Sequence, residues 1–298
     1  MKDKKLVVIL GPTASGKSEL ALKLAKKFEG EIVSADSRQV YQEIEIGVDK
    51  LKTGKIPQHL VDLVKPNKQY TAALYKRKAM KTIKEIQKRG RLPILVGGTG
   101  LYISSLINNL KIPKVKPNYE LRKKLEKLPK EVLWQMLLGL DKEAGQIVDQ
   151  NNPRRIIRAI EICQITGKSL KEERRVGKPL FKILQIGLYP SKEKLYQKIN
   201  QRVEQMFKKG LVKEVKKLYQ KYGEKAPGLK TIGYQEIISY LKNRISLEKA
   251  KELIKRNTRI YAKKQIQWFS AHGGRDKRII WVKNQKEAKE LVKTFLKS

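Results

Sequence analysis

Residues Leu6 to Leu10 (LVVIL) form a continuous apolar run, ended at once by Gly11-Pro12-Thr13-Ala14-Ser15-Gly16-Lys17-Ser18. An apolar run of this length, bounded by Gly-Pro, reads as a parallel strand covered on both faces. The octapeptide fits G-x-x-x-x-G-K-[ST] in full, and the segment from Gly16 to Phe28 reads as the helix that must follow it. With glycine near ~7% of residues, such a string arises by chance in roughly one chain in a hundred of this length. Strand, loop and helix form one device. Glycines let backbone N–H groups turn around phosphate oxygens, the helix N-terminus adds partial positive charge, and Lys17 adds a full one. The Ser18 hydroxyl suits Mg²⁺, which takes oxygen ligands and keeps several waters. Gly11 to Ser18 is thus the candidate diphosphate or triphosphate site, with Ser18 the candidate metal ligand. The loop does not decide whether phosphate is transferred, hydrolysed or expelled.

The remaining pattern alternates. Glu31 to Ala35 is a second strand with Asp36 at its C-terminal end, Thr71 to Arg89 a helix, Leu92 to Val96 a third strand, and Gly100 to Asn109 a helix. This specifies an α/β fold: a P-loop NTPase-like parallel sheet core, with ligands beyond the C-terminal strand ends. Lys111 to Pro117 carries two prolines and breaks the pattern. Residues ~118 to ~180 read as short helices without a strand. Phe181 to Leu188 returns to the sheet, the chain is then mostly helical to about Ala271, and Arg278 to Val282 is a last strand before a closing helix. The expected organisation is a catalytic core, 1–113 plus 181–298, with a helical C-terminal region, and a small α-helical insertion domain at 114–180.

Charge adds a partner. Lys and Arg number 68 against 29 Asp and Glu, a formal +39. An ion-pair-rich surface raises both signs together; this excess calls for a polyanion, the alternative being a lysine-rich bias spread over the surface. The single cysteine, Cys163, lies in an apolar run at helical spacing and reads as core. His59 and His272 show no partner pattern and receive no chemical role, and no Cys/His zinc cage can be assembled. No apolar stretch approaches ~18 residues, so no membrane span is expected. The opening Met1-Lys-Asp-Lys-Lys runs straight into a strand without a signal peptide, and a cytoplasmic protein is expected.

Asp36 faces the same crevice as the phosphate loop. It reads equally as a general base, a water-mediated Mg²⁺ partner, or a cap of the following segment. A P-loop ATPase commonly ends a strand with a metal-directed Asp. Here the third strand runs into Gly97-Gly98-Thr99-Gly100, a turn that brings backbone near the ligand and offers a neutral hydroxyl.

Six motifs in order carry a resemblance: GPTASGKS at Gly11–Ser18, SADSRQVY at Ser34–Tyr41, LVGGTGLY at Leu95–Tyr102, NNPRRIIRA at Asn151–Ala159, IGYQE at Ile232–Glu236 and RNTRIYAKKQIQWF at Arg256–Phe269. Over essentially its whole length the chain resembles the tRNA dimethylallyltransferases, or tRNA isopentenyltransferases. The resemblance implies transfer of a dimethylallyl group from dimethylallyl diphosphate to N6 of the adenosine 3′ to the anticodon, with Mg²⁺ assisting departure of diphosphate. It implies that Gly11 to Ser18 hold the donor, Asp36 receives the N6 proton, Thr99 donates to the bridging oxygen, and Lys17 and Arg202 clamp the diphosphate. It implies tRNA contacts at Asp36, Ser37, Arg38, Gln39 and Thr99. Further contacts are implied at Arg122, Arg154, Arg155, Ile156, Ile157 and Arg158; at Lys230, Thr231, Ile232, Gly233, Tyr234 and Gln235; and at Lys264, Gln265, Ile266, Gln267, Trp268 and Phe269. Its partners are the tRNA anticodon stem-loop and the donor, with no membrane and a monomeric working form. The family often has Arg where Lys264 stands and a basic residue at Ser270; Lys lacks Arg's planar fork.

Ile254, Tyr261 and Trp268 recur at seven-residue spacing as an apolar stripe, while Arg256, Arg259, Lys263 and Gln267 project elsewhere as an expected RNA face. Three rivals share parts of this pattern: a small-molecule or nucleotide kinase, a prenyltransferase acting on free adenine nucleotides, and an RNA-binding ATPase-like switch. The first two leave the basic helices without a purpose, and the third lacks its metal-directed Asp.

Overall fold

A computed structural model describes residues 4–48, 50, 53–173, 176–270 and 278–298. Met1 to Asp3, Ala271 and His272 lie outside the described residues. The chain divides into two compact units, Met1–Ile107 with Leu180–Ser298, and Asn108–Pro179. The first begins with β1 (Lys5–Leu10), α1 (Lys17–Lys27), β2 (Gly30–Ala35), β3 (Gln58–His59), α2 (Ala72–Lys88), β4 (Leu92–Gly97) and α3 (Gly100–Ile107). The second holds α4 (Tyr119–Leu125), α5 (Lys130–Leu140), α6 (Pro153–Thr166) and α7 (Leu170–Glu173). The first unit resumes with β5 (Lys182–Leu188), α8 (Lys192–Lys208), α9 (Leu211–Tyr222), α10 (Tyr234–Leu241), α11 (Leu247–Phe269), β6 (Ile279–Val282) and α12 (Gln285–Lys297).

All strand pairings are parallel, in the order β3-β2-β4-β1-β5-β6. Side chains of β1 alternate between two cores. Leu6, Val8 and Leu10 pack with Ala79 and Ile83 of α2 and Ile254 of α11. Val7 and Ile9 pack with Leu20 and Leu24 of α1 and Val292 of α12. Helices cover both faces, which is why the strand reads as unbroken apolar sequence rather than alternation. From β1 the chain crosses over β4 to reach β2, so strand order reverses beside β1 and opens a crevice above the C-terminal ends of β1 and β4. The two-residue β3 left no periodicity to read. It is pinned where His59 Nε2 lies 2.6 Å from Glu31 Oε2, an oxygen that also accepts from Arg89 Nη2 at 2.7 Å.

The helical unit packs Leu133, Leu137, Ile156, Ile157, Ile160 and Cys163 into its own core. It starts ahead of the Lys111–Pro117 segment because Asn109 and Leu110 pair back with Gly177 and Val176. The NNP sequence explains where α6 begins: Asn152 Oδ1 accepts from Arg155 N at 3.2 Å, and Pro153 occupies the first turn, where its missing N–H costs nothing. Gly167, at φ 64°, closes the helix.

One expectation changes here. Glu161 is fully buried on α6 and accepts from Arg122 Nε at 3.0 Å and Nη2 at 2.6 Å, from Asn118 N at 2.6 Å, and from Arg158 Nη1. The guanidiniums of Arg122 and Arg158, expected on tRNA, are therefore committed to an internal carboxylate, and Ile156 and Ile157 to the core. Helix phase leaves Arg154 and Arg155 exposed. Burial works to raise the Glu161 carboxyl, but the arginine hydrogen bonds outweigh it and hold it below its usual range. A depressed folded pKa stabilises above the ordinary carboxylate range and loses that contribution as pH falls through the folded value. Glu161→Ala is expected to cost about 3 kcal/mol, the low end for breaking a buried pair because both arginines keep access to water. In the full chain, amide exchange across residues 118–166 should rise about a hundredfold at neutral pH. The difference from wild type should shrink in acid; equal exchange at neutral pH would remove the ion-pair role.

Candidate active site

The loop after β1 has the backbone that its glycines allow. Gly11 has φ 151°, and a Cβ there would lie 2.4 Å from Leu188 O at the end of β5, so only glycine passes. Gly16, at φ 89°, enters α1 with no side-chain cap, leaving first-turn N–H groups directed at the loop. Lys17 folds back so that its Nζ donates to Pro12 O at 2.9 Å. Arg202 of α8 reaches the same loop, donating from Nη1 to Thr13 Oγ1 at 3.0 Å. The Ser15 hydroxyl is buried in the loop without a hydrogen-bond partner among the described residues, as expected of a group that an anion's oxygen satisfies.

A cavity of about 730 Å³ opens on this loop. Thr13, Ala14, Gly16, Lys17 and Ser18 line it, together with Asp36, Arg38, Gln39, Arg202, Lys230, Thr231, Ile232 and Gln265. Its cations are Lys17, Arg38, Lys198, Arg202 and Lys230, against the carboxylates of Glu19 and Asp36. Val48, Val203, Met206, Ile232 and Ile254 supply apolar wall. Asp36 is a turn residue as well as a cavity residue, since its Oδ1 accepts from Arg38 N at 2.8 Å.

The turn after β4 is stitched to α11. Thr99 Oγ1 accepts from Ser37 N at 2.9 Å and donates to Ser37 Oγ at 3.3 Å, holding the Asp36 turn in place. The Tyr261 hydroxyl hydrogen-bonds Thr99; burial, reinforced by the charge of Asp36, pushes this phenol up to about 12. Gln265 Oε1 accepts from Thr13 N at 2.8 Å and its Nε2 donates to Gly98 O at 2.9 Å. Trp268 packs on Gly100 and donates from Nε1 to Ser104 Oγ at 3.3 Å.

Several side chains expected at an RNA surface are occupied inside the fold. Gln39 is buried and accepts from Ser34 Oγ at 2.8 Å. Tyr234 is buried with its hydroxyl on Glu214, Thr231 donates to Gly228 O at 2.7 Å, and Gly233 N donates to Glu236 at 2.7 Å. Ile266 packs with Leu195 and Ile199, and Phe269 is buried. Arg259 donates to Asn200 at 3.1 Å and lies over the Tyr196 ring. Lys230, Gln235, Arg256, Lys263, Lys264 and Gln267 are exposed. Several cavity residues escaped the sequence reading, among them Glu19, Met206, Lys198 and the hydroxyl of Tyr261. Lys198 stands one helical turn before Arg202 on α8, a spacing that could have revealed it. Tyr261 reads as core, yet carries its hydroxyl to Thr99.

Among the described residues no group of three His, Cys, Asp or Glu could hold a metal alone. Mg²⁺ still fits: the Ser18 hydroxyl and Asp36 line the cavity beside the phosphate loop, and Mg²⁺ bound through one or two protein oxygens takes its remaining ligands from phosphate and water. No helix among the described residues is long and apolar enough to cross a membrane.

Known proteins match along nearly the whole chain. The IPP transferase family model matches residues 39–272, and the isopentenyl transferase model residues 4–57. The tRNA dimethylallyltransferase of Carboxydothermus hydrogenoformans is 43% identical, over 97% of this chain and 94% of that protein. The full-length tRNA isopentenylpyrophosphate transferase of Bacillus halodurans superimposes with a TM-score of 0.74 at 35% identity, covering 99% of this chain and 97% of the other. A eukaryotic dimethylallyltransferase acting on tRNA superimposes with a TM-score of 0.82 at 31% identity, covering 93% of this chain and 73% of the other. Identity at this level, joined to a phosphate loop, a glycine turn and the cavity beside them, makes one assignment: the chain belongs to the IPP transferase family, that of the tRNA dimethylallyltransferases.

Proposed function

We propose that this protein transfers the dimethylallyl group of dimethylallyl diphosphate to N6 of the adenosine 3′ to the anticodon in tRNA. The observation that carries the reading is the cavity's two-sided chemistry: cations and the phosphate loop for a diphosphate, and an apolar wall for a short allyl chain. An adenine amine is a weak nucleophile, so alignment, proton removal and leaving-group stabilisation must share the work. The N6 lone pair attacks the allylic carbon while the carbon–oxygen bond breaks toward diphosphate. Lys17, Arg202 and the loop N–H groups meet the developing charge. Thr99 turns its proton from Ser37 Oγ toward the bridging oxygen while still accepting from Ser37 N–H. Asp36 takes the N6 proton on the carboxylate oxygen not used by its turn. Ser18, with Asp36 nearby in the cavity, would hold Mg²⁺, and the ion would supply further charge neutralisation at the diphosphate. The target base leaves its stack to reach the cavity, which costs least in a single-stranded loop.

Unmodified tRNA incubated with dimethylallyl diphosphate and Mg²⁺, then digested to nucleosides, should yield N6-dimethylallyl adenosine. Prenylated free adenine nucleotide, or phosphate transfer from ATP, with tRNA left unchanged would overturn the proposal. Binding of tRNA should weaken steeply with salt. Arg256, Lys263 and Lys264 are the α11 cations to neutralise, being exposed, whereas Arg259 donates to Asn200. Replacing all three with Gln should flatten the log–log salt slope by about two units if each meets a phosphate. An unaltered slope returns them to a solvated face.

A further inference from the structure

Tyr261, Gln265 and Trp268 are spaced four and three apart, on one face of α11, and each meets a different residue of the turn after β4. Gln265 alone also reaches the phosphate loop. Gln265 is 6% exposed, and its amide accepts from Thr13 N at 2.8 Å and donates to Gly98 O at 2.9 Å. One partner is a backbone donor and the other a backbone acceptor. A neutral amide offers both functions at this reach; a carboxylate offers acceptors only, and a thioether neither to useful strength. Gly98 is shaped to the contact, because a Cβ there would lie 2.1 Å from Gln265 Nε2. The loop and the turn leave the paired strands β1 and β4 side by side, Leu10 opposite Gly97, and Gln265 bridges them beyond the strand ends, tying the proposed diphosphate loop to the turn whose Thr99 braces Ser37 beside Asp36.

We infer that Gln265 is a positioning residue, locking the phosphate loop to the Thr99 turn, rather than a contact to RNA. The inference rests on the transfer reaction proposed above. In-line displacement is sensitive to such spacing, since a ~1 Å misplacement costs on the order of 10²-fold in rate.

The test uses the full-length protein with Gln265→Met, which keeps length and volume but removes the lock, and Gln265→Glu, which keeps the acceptor and loses the donor. For Gln265→Met, single-turnover transfer to unmodified tRNA should fall roughly 30- to 100-fold, while half-saturating donor and tRNA affinity change less than about threefold. Exchange of the Thr13 amide proton should accelerate at least ~10-fold. For Gln265→Glu, the rate relative to wild type should be lowest near about pH 8 and recover toward about pH 5, because a buried carboxyl facing a carbonyl titrates upward and, once protonated, donates to Gly98 O. A packing role alone would not produce that profile. Gly98→Ala, which expels the amide from the other side, should repeat the Gln265→Met signature and serves if the Met variant fails to fold. A near-normal rate in Gln265→Met, unchanged Thr13 exchange, or lost tRNA affinity with an intact saturated rate would each overturn the inference. If wild type makes no prenylated adenosine, the transfer reading falls instead, and Thr13 exchange decides whether Gln265 holds the loop.

Discussion

Asp36→Asn should reduce single-turnover transfer by ~10²–10⁴ while leaving donor and tRNA affinities nearly unchanged. The structure makes this substitution unusually clean. One carboxylate oxygen of Asp36 accepts the Arg38 N–H at 2.8 Å, and an Asn carbonyl oxygen can take over that bond. The turn, the Ser37–Thr99 contacts behind it and the cavity wall should all persist. What disappears is the capacity to accept a proton. Rapid-quench measurement with enzyme in excess over tRNA isolates the chemical step from product release. If the mutant retains a near-normal rate, Asp36 is only a turn residue, and the proton passes to solvent or to the departing diphosphate.

Lys17→Ala should lower transfer by ~10²–10³, the range for removing one preorganised group from a site of developing charge. Its effect on binding should be lopsided. Lys17 stands in the phosphate loop and lines the cavity, so donor and inorganic diphosphate should bind more weakly. The exposed cations of α11, proposed above to meet RNA, are untouched. Titration with diphosphate and with tRNA, side by side, checks this. Equal loss of both affinities in a folded protein would mean that the loop meets the nucleic acid directly.

The parts legible in the sequence were those in which local chemistry and local backbone coincide. The run LVVIL followed by eight loop residues specified strand, turn and helix together, because Gly11 and Gly16 take conformations that few other residues allow. The third-strand glycine turn was legible for a different reason, close approach: a Cβ at Gly97, Gly98 or Gly100 would collide with Ala35 O, Gln265 Nε2 or Trp268 Cδ1. Charge was legible only as a sum. It gave no sign that Arg122 and Arg158 serve a buried Glu161, although Arg158 and Glu161 stand three apart on a helix, a spacing that permits the pair. Arg259 likewise turns to Asn200. The stripe of Ile254, Tyr261 and Trp268 was read as core, which describes Ile254 but not the Tyr261 hydroxyl. Gln265 was assigned to RNA by resemblance. Its two partners lie on segments far from it in the chain, and no local pattern encodes them.

That separation has a consequence for how the protein is made. Thr13 and the Gln265 that holds it are 252 positions apart in the chain. At ~5–20 residues per second, a ribosome needs roughly 10–50 s to travel that distance. Throughout this interval the phosphate loop exists as sequence without its support, and β5, whose Leu188 carbonyl walls Gly11, arrives only in the second half of synthesis. The loop-to-turn spacing that we assign to Gln265 is therefore a property acquired near the end of translation. A chain released early carries the phosphate-loop motif yet lacks the far residue that fixes its distance from the Thr99 turn, so slow transfer is expected of incomplete molecules even where the loop is present.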